Sequence, residues 1–283
     1  MQISLDRQAQ ETLFDLPTND GAYSSEQLSY LGALGARRPA IMMAFAPKAA
    51  GTFLRAAAVA ATGGDVLRVV HAQGSRDAQL YLPTLIGYYL GGFCRGPLVA
   101  HIHMQAFPAN ISLLEALGIR PVIMLRSIAD MLASYWDMLD RSTAPNQGIN
   151  CTIPPDFHTM DAARKADFMV DVIAPWYAGY YATWLDYAAR TDGRVCILEY
   201  SGLRTDPAGT LKHLLEHAGT PRSFSDCQNA MDKVWADRFS LRFNEGLEGR
   251  GHQYFSYTHL ERIGRLLSYY PSTTLMRAEL IGL

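Results

Sequence analysis

Cysteine is scarce in this chain. Cys94, Cys151, Cys196 and Cys227 are the four among 283 residues; they lie far apart and never form a C-x-x-C pair. That spacing argues against a zinc knuckle or a dithiol site, so no metal is expected. Cys196 falls in an apolar run and reads as a core thiol. A basic excess is missing too. Lys and Arg number 25 against 27 Asp and Glu, a net charge of −2. A nucleic-acid surface needs a basic excess, so no nucleic-acid partner is expected. A small anionic ligand needs only a local positive pocket. No apolar run reaches transmembrane length. The first residues, MQISLDRQAQETLFDLP, lack a basic start followed by an apolar stretch. No membrane span and no signal peptide are therefore expected, and a reducing cytoplasm is the default. Internal repeats, low-complexity tracts and credible linkers are absent, so residues 1–283 read as one domain. What is present is core-forming material, 49% hydrophobic against 18% charged residues.

The chain is organised around residues 40–61, AIMMAFAPKAAGTFLRAAAVAA. The run Ala40 to Ala46 has the length and composition of a buried strand. It breaks at Pro47. An Ala-rich helical segment starts at Phe53 and stops at Gly63 and Gly64. The turn between is Pro47-Lys48-Ala49-Ala50-Gly51-Thr52. A strand feeding a glycine turn that opens a helix is anion-binding geometry, because the helix start offers N–H donors and a positive dipole end. Lys48 adds a charge, Thr52 a hydroxyl, and Gly51 a close backbone approach. The nucleotide-kinase loop G-x-x-x-x-G-K-[ST] is not present, since the lysine here precedes the glycine by three positions. On these residues alone, the turn is equally an ordinary strand-to-helix connection.

The remaining pattern alternates. Residues 1–38 are polar with scattered Pro and Gly and read as an arm. Strands are expected at Leu67–His71, Leu98–His103, Pro121–Leu125 and Val195–Tyr200. Helices are expected at Asp77–Gly92, at Asn110–Leu117 with Ser112 and Glu115 as a capping box, and at Ile128–Leu139. A long helical pattern spans Ala162–Ala189 with a kink at Pro175 and Gly179. Asp206-Pro207 starts a further helix, Ser225–Trp235 forms another, and Thr258-x-x-Glu261 caps the last. The proline-rich stretch 141–158 reads as a long loop near the binding site. Strands alternating with helices imply an α/β domain with a mostly parallel central sheet flanked by helices.

Four further groups carry chemistry. Arg126 ends the fourth strand, and Asp130 and Ser134 follow at helical spacing. Ligands of parallel sheets sit beyond the strands' carboxyl ends, and an Arg there suits bidentate phosphate binding. Its plain alternative is a surface Arg with an i,i+4 Asp partner. His101 and His103 share one face of a strand end, and on the residues alone they are hydrogen-bonded core histidines or, with no acidic or cysteine ligand beside them, a poorer metal pair. Tyr200 ends the fifth strand, before Ser201-Gly202. Asn244-Glu245-Gly246-Leu247-Glu248-Gly249-Arg250-Gly251 is a glycine-rich loop or a surface turn. Trp176, Tyr180 and Trp184, with Tyr177 and Tyr181 beside them, read as core packing, with an aromatic acceptor wall as the alternative.

Taken in order, these segments resemble the PAPS-dependent sulfotransferases of cytosolic and bacterial type, over roughly residues 40–255. The P-K-x-x-G-T turn resembles their 5′-phosphate loop, which implies that Lys48, Ala49, Ala50, Gly51, Thr52 and Phe53 bind the nucleotide. R-x-x-x-D-x-x-x-S resembles their 3′-phosphate element, which implies that Arg126 and Ser134 bind there. H-I-H stands where the family has K-x-H, which implies His103 as the general base and leaves His101 in place of the lysine. Tyr200 matches the tyrosine that lies against adenine. Gly246 and Gly249 match the R-K-G-x-x-G loop, with Asn244 and Glu245 in place of two basic residues, so that Arg250 or Arg242 would supply its charge. The resemblance implies a P-loop-like sulfotransferase fold and transfer of a sulfonate from PAPS to a hydroxyl or amine of a small-molecule acceptor, with Lys48 as a second catalytic residue and no metal. A P-loop small-molecule kinase and a non-catalytic PAP-binding protein of the same fold are the alternatives. The acceptor and the oligomeric state are not legible.

Overall fold

Five short apolar segments, each bounded by turn residues, pair into a single sheet. The computed structural model describes residues 23–67, 79–90, 96–142, 151–237 and 246–282. The strands are β1 (Ala40–Met43), β2 (Asp65–Leu67), β3 (Leu98–His101), β4 (Pro121–Leu125) and β5 (Cys196–Glu199). Their order is β2-β3-β1-β4-β5 and every pairing is parallel. β1, β3 and β4 are buried at every position, as parallel strands covered on both faces must be. The flanking helices are α1 (Ser25–Arg37), α2 (Gly51–Thr62), α3 (Leu82–Leu90), α4 (Pro108–Ala116), α5 (Ile128–Arg141), α6 (Ala162–Phe168), α7 (Ala174–Arg190), α8 (Tyr200–Thr205), α9 (Pro207–His217), α10 (Phe224–Ala236), α11 (Gly251–Tyr254), α12 (Tyr257–Ser268) and α13 (Arg277–Ile281).

The topology places the site. From β1 the chain runs out to β2 at one edge, returns to β3 beside β1, then crosses to β4 on the other side. The strand order reverses at β1, and the crevice beyond the strand ends at such a reversal is where α/β sheets collect ligands. Register aligns the three central strands: Met43 lies opposite His101 of β3 and opposite Val122 of β4. The Lys48 turn, the two histidines and Arg126 therefore leave the sheet at one rim.

Several sequence expectations need correction. Residues 25–37 of the expected arm are helical. Ser24 and Gln27 form a reciprocal capping box, and Leu31 and Leu34 face the core. The glycines that suggested irregularity serve packing: a Cβ on Gly35 would lie 1.9 Å from the Leu117 carbonyl oxygen. The second strand occupies Asp65–Leu67, and residues 68–71 lie outside the described residues. The helix expected from Asn110 starts at Pro108, which leaves Ser112 in its interior rather than at a cap. The helix expected to be capped by Thr258, α12, is capped by Ser256 with His259, two residues earlier. The fifth strand ends at Glu199, and Tyr200 opens α8. The long helix at 162–189 is interrupted by a π-helical turn at Met169–Ile173, just before Pro175. Proline brings no N–H to the ladder and its ring needs room, so the wide turn sits on its N-terminal side. Of the 141–158 loop, residues 143–150 lie outside the described residues, and buried Phe157 anchors a 3₁₀ turn at Phe157–Thr159.

Candidate active site

The turn after β1 is built with two non-glycine residues in the left-handed region, Lys48 at φ 67° and Ala50 at φ 62°. Each such residue costs about 1–2 kcal/mol and persists only where its surroundings over-determine it. The surroundings are visible. Tyr177 Oη donates to the Pro47 carbonyl at 3.2 Å, and Arg126 Nη1 donates to the Lys48 carbonyl at 2.5 Å. The α2 ladder begins at Leu54 N–H, which donates to the Ala50 carbonyl at 3.0 Å. The amides of Gly51, Thr52 and Phe53 thus lie ahead of the ladder, at the positive end of the helix. Gly51 is required for a second reason. A Cβ there would lie 2.0 Å from His101 Nε2, so the imidazole occupies the space a side chain would take.

The two histidines stay together at the end of β3, His101 as its last residue and His103 just beyond it. Ile102 N–H donates to the Met43 carbonyl at 3.0 Å and keeps the chain extended. The rings of His101 and His103 are 4.8 Å apart and nearly perpendicular, and both residues are buried. Phe45 closes the other side of His101 at 6.2 Å. His103 Nδ1 lies 2.8 Å from the Phe45 carbonyl oxygen. A carbonyl only accepts, so Nδ1 carries a proton, and in the neutral ring Nε2 holds the lone pair. That is the tautomer a general base needs.

Arg126 bridges two loops. It is 8% exposed, and its Nη1 and Nη2 hold the Lys48 carbonyl at 2.5 Å and the Leu247 carbonyl at 3.2 Å. Its guanidinium lies 4.0 Å over the Tyr200 ring. Its Nε is buried with no hydrogen-bond partner among the described residues. A buried donor left open in this way fits an acceptor supplied from outside the chain, such as a phosphate oxygen.

One face of α5 seats the glycine-rich segment. Asp130, Ser134 and Asp137 lie at helical spacing, and Asp130 and Ser134 are buried. The Asp130 carboxylate accepts from Gly249 N–H at 2.9 Å and from Gly251 N–H at 2.8 Å. Gly251 approaches so closely that a Cβ would lie 2.5 Å from Ala129 Cβ. Asp137 accepts from Arg250 Nη2 at 2.9 Å and from the Tyr254 hydroxyl at 2.5 Å. The Arg250 guanidinium is thus directed into α5, to Asp137 and the Tyr254 hydroxyl at 3.1 Å. Ser134 lies between the two anchoring carboxylates on that face. Arg242, Asn244 and Glu245 lie outside the described residues.

The aromatic stripe of α7 is buried at Tyr177, Tyr180, Tyr181 and Trp184, half-buried at Trp176, and polar at its tips. Tyr180 donates to the Ala44 carbonyl, Trp184 Nε1 to the Met104 carbonyl at 2.9 Å, and Tyr181 Oη to the Arg126 carbonyl at 2.9 Å. Tyr181 Oη also accepts from Arg126 N–H at 3.0 Å. Burial pushes the Tyr180 and Tyr181 phenols well above the usual tyrosine range, so both remain O–H donors. The stripe is core, as its spacing suggested, but its hydrogen bonds end on the carboxyl ends of β1, β3 and β4. Sequence reasoning missed that role, and it missed Asp130 and Asp137 as anchors. The spacing D-x-x-x-S-x-x-D on one helix face was the available signal for those two. Among the described residues no group of three or more His, Cys, Asp or Glu side chains is placed to hold a metal ion. Nor is any described helix long and apolar enough to cross a membrane.

Comparison with known proteins adds a family. The family model described as a sulfotransferase domain matches residues 94–245, more than half of the chain. The structure of mouse sulfotransferase SULT7A1 complexed with PAP superposes with a TM-score of 0.59 at 14% identity, covering 91% of this chain and 92% of that one. At that identity the likeness establishes the fold. Retinol dehydratase in complex with androsterone and inactive cofactor PAP matches with a TM-score of 0.37 at 13% identity, over 68% of this chain and 60% of that one. No curated protein sequence matches the chain.

Proposed function

The chain belongs to the sulfotransferase domain family, and from that premise we propose that it moves a sulfonate from PAPS to a hydroxyl or amine of a small-molecule acceptor and releases PAP. One observation carries the reading. The anion-binding turn, a histidine in the tautomer of a base, and a buried arginine with an open donor meet where the strand order reverses. His103 Nε2 takes the acceptor proton. The acceptor's freed electron pair forms the new bond to sulfur. The bond from sulfur to the bridging phosphate oxygen breaks, and its pair stays on PAP. Lys48 and the amides of Gly51, Thr52 and Phe53 meet the charge that grows there, with Ala49 and Ala50 shaping the turn. Arg126 and Ser134 hold the 3′-phosphate under the Gly249 turn, and Tyr200 flanks the adenine. Arg250, paired with Asp137, seats that turn and brings a positive charge beside it.

Incubation with PAPS and a metabolite pool, followed by mass spectrometry, tests the activity. A product heavier by one sulfonate, together with released PAP, is the expected result. No product with PAPS, alongside a phosphate gain with ATP and magnesium, would point to a kinase instead. Arg126→Lys tests the nucleotide site. Lysine keeps the charge but cannot span two carbonyls and a phosphate with a planar fork. PAP affinity by calorimetry should fall about tenfold or more, the worth of one charged hydrogen bond. An unchanged dissociation constant would remove Arg126 from the site.

A further inference from the structure

The Lys48 turn asks for a left-handed residue and receives a lysine. Glycine would adopt φ 67° without strain, but only lysine supplies the charge. Something else must then hold the conformation. The two carbonyls that bracket Lys48, those of Pro47 and of Lys48 itself, are each captured by a donor from a distant element. Tyr177 Oη holds the first at 3.2 Å, and Arg126 Nη1 holds the second at 2.5 Å. Arg126 is in turn seated by Tyr181, whose Oη accepts its backbone N–H at 3.0 Å and donates to its carbonyl at 2.9 Å. Tyr177 and Tyr181 are one turn apart on α7 and at most 1% exposed, so both arms of the grip start from one turn of a buried helix. We infer that Tyr177 and Tyr181 are positioning residues that hold Lys48 in the left-handed conformation, and that the turn's grip on an anion depends on them. The inference deepens the reading of residues 47–53 as a phosphate loop and rests on it.

The test is Tyr177→Phe, which keeps the ring and removes one hydroxyl. Hydrogen exchange of the amides in residues 46–54 should accelerate by about threefold to tenfold, the worth of one hydrogen bond, with β4 and β5 unchanged. PAP affinity should weaken by a similar factor. In a Lys48→Gly background the same substitution should accelerate loop exchange less than it does in the wild type, because glycine enters the left-handed region without the strain that the hydroxyl helps to offset. Faster exchange spread evenly over the sheet, no acceleration in the loop, or an equal acceleration in the Lys48→Gly background would each overturn the inference. Should Tyr177→Phe fold poorly, Tyr181→Phe loosens the other arm and permits the same comparison. The exchange readout needs no nucleotide. A wild-type chain that ignores PAP would sink the proposed function while the exchange cycle still decides the grip.

Discussion

His103→Ala should lower turnover by ~10²–10⁴-fold, the usual worth of a positioned general base, while PAP affinity stays near that of the wild type. The expectation follows from the geometry of one ring. Its Nδ1 proton is fixed on the Phe45 carbonyl at 2.8 Å, which leaves Nε2 as the only acceptor on the imidazole. The ring projects from the segment after β3, whereas the donors assigned to the nucleotide come from the β1 turn and the end of β4. Chemistry and nucleotide binding therefore separate. His101→Ala should keep more turnover but weaken PAP binding, because its imidazole backs the start of α2 against Gly51. Steady-state turnover with PAPS and calorimetry with PAP measure the two effects. Wild-type turnover in His103→Ala with a dead His101→Ala would move the base to the other histidine.

Gly51→Ala should cost about 1–3 kcal/mol of stability, the usual range for overpacking, and reduce PAP affinity by roughly 10–100-fold. The added Cβ would lie 2.0 Å from His101 Nε2, 2.4 Å from Cε1 and 2.5 Å from Cδ2. Phe45 at 6.2 Å and His103 at 4.8 Å between centroids limit the ring's retreat. The start of α2 therefore takes up part of the shift, and its first amides are the proposed phosphate donors. The double variant Gly51→Ala with His101→Ala removes the clash and should recover part of both losses. Thermal unfolding and PAP titration decide the matter. A Gly51→Ala protein that binds PAP as tightly as the wild type would show that the first turn of α2 is not part of the site.

The central strands β1, β3 and β4 were legible because a parallel strand buried on both faces announces itself as a short apolar run, whereas β2, with Val66 exposed, lies two residues ahead of the run that suggested it. Pro121–Leu125 was read with its observed limits. Asp206 caps α9, accepting from Gly209 N–H at 2.8 Å, as Asp-Pro suggested. The Lys48 turn was legible from the change of pattern as a strand-to-helix connection, and only the resemblance, which reaches outside the 94–245 family match, marked it as a phosphate loop. What the sequence hides is contact at long range. Tyr177 and Pro47 are 130 positions apart, and Asp130 and Gly249 are 119 apart. Periodicity marks Tyr177 as buried and Asp130 as helical, but neither pattern says which backbone groups they hold. α1 was missed for a related reason, since the use of Gly35 appears only once Leu117 is packed against it.

The most direct measurement compares thermal unfolding of the wild-type protein with PAP and with ATP plus magnesium. A ligand that binds only the folded state stabilises it in proportion to the logarithm of its concentration, by ~2.7 kcal/mol at a hundredfold excess over its dissociation constant. A site with a 5′-phosphate turn at β1 and a separate 3′-phosphate element at Arg126 and Ser134 predicts a concentration-dependent rise in melting temperature with PAP and a much smaller one with ATP and magnesium. Equal stabilisation by the two nucleotides, or none by PAP, would contradict it.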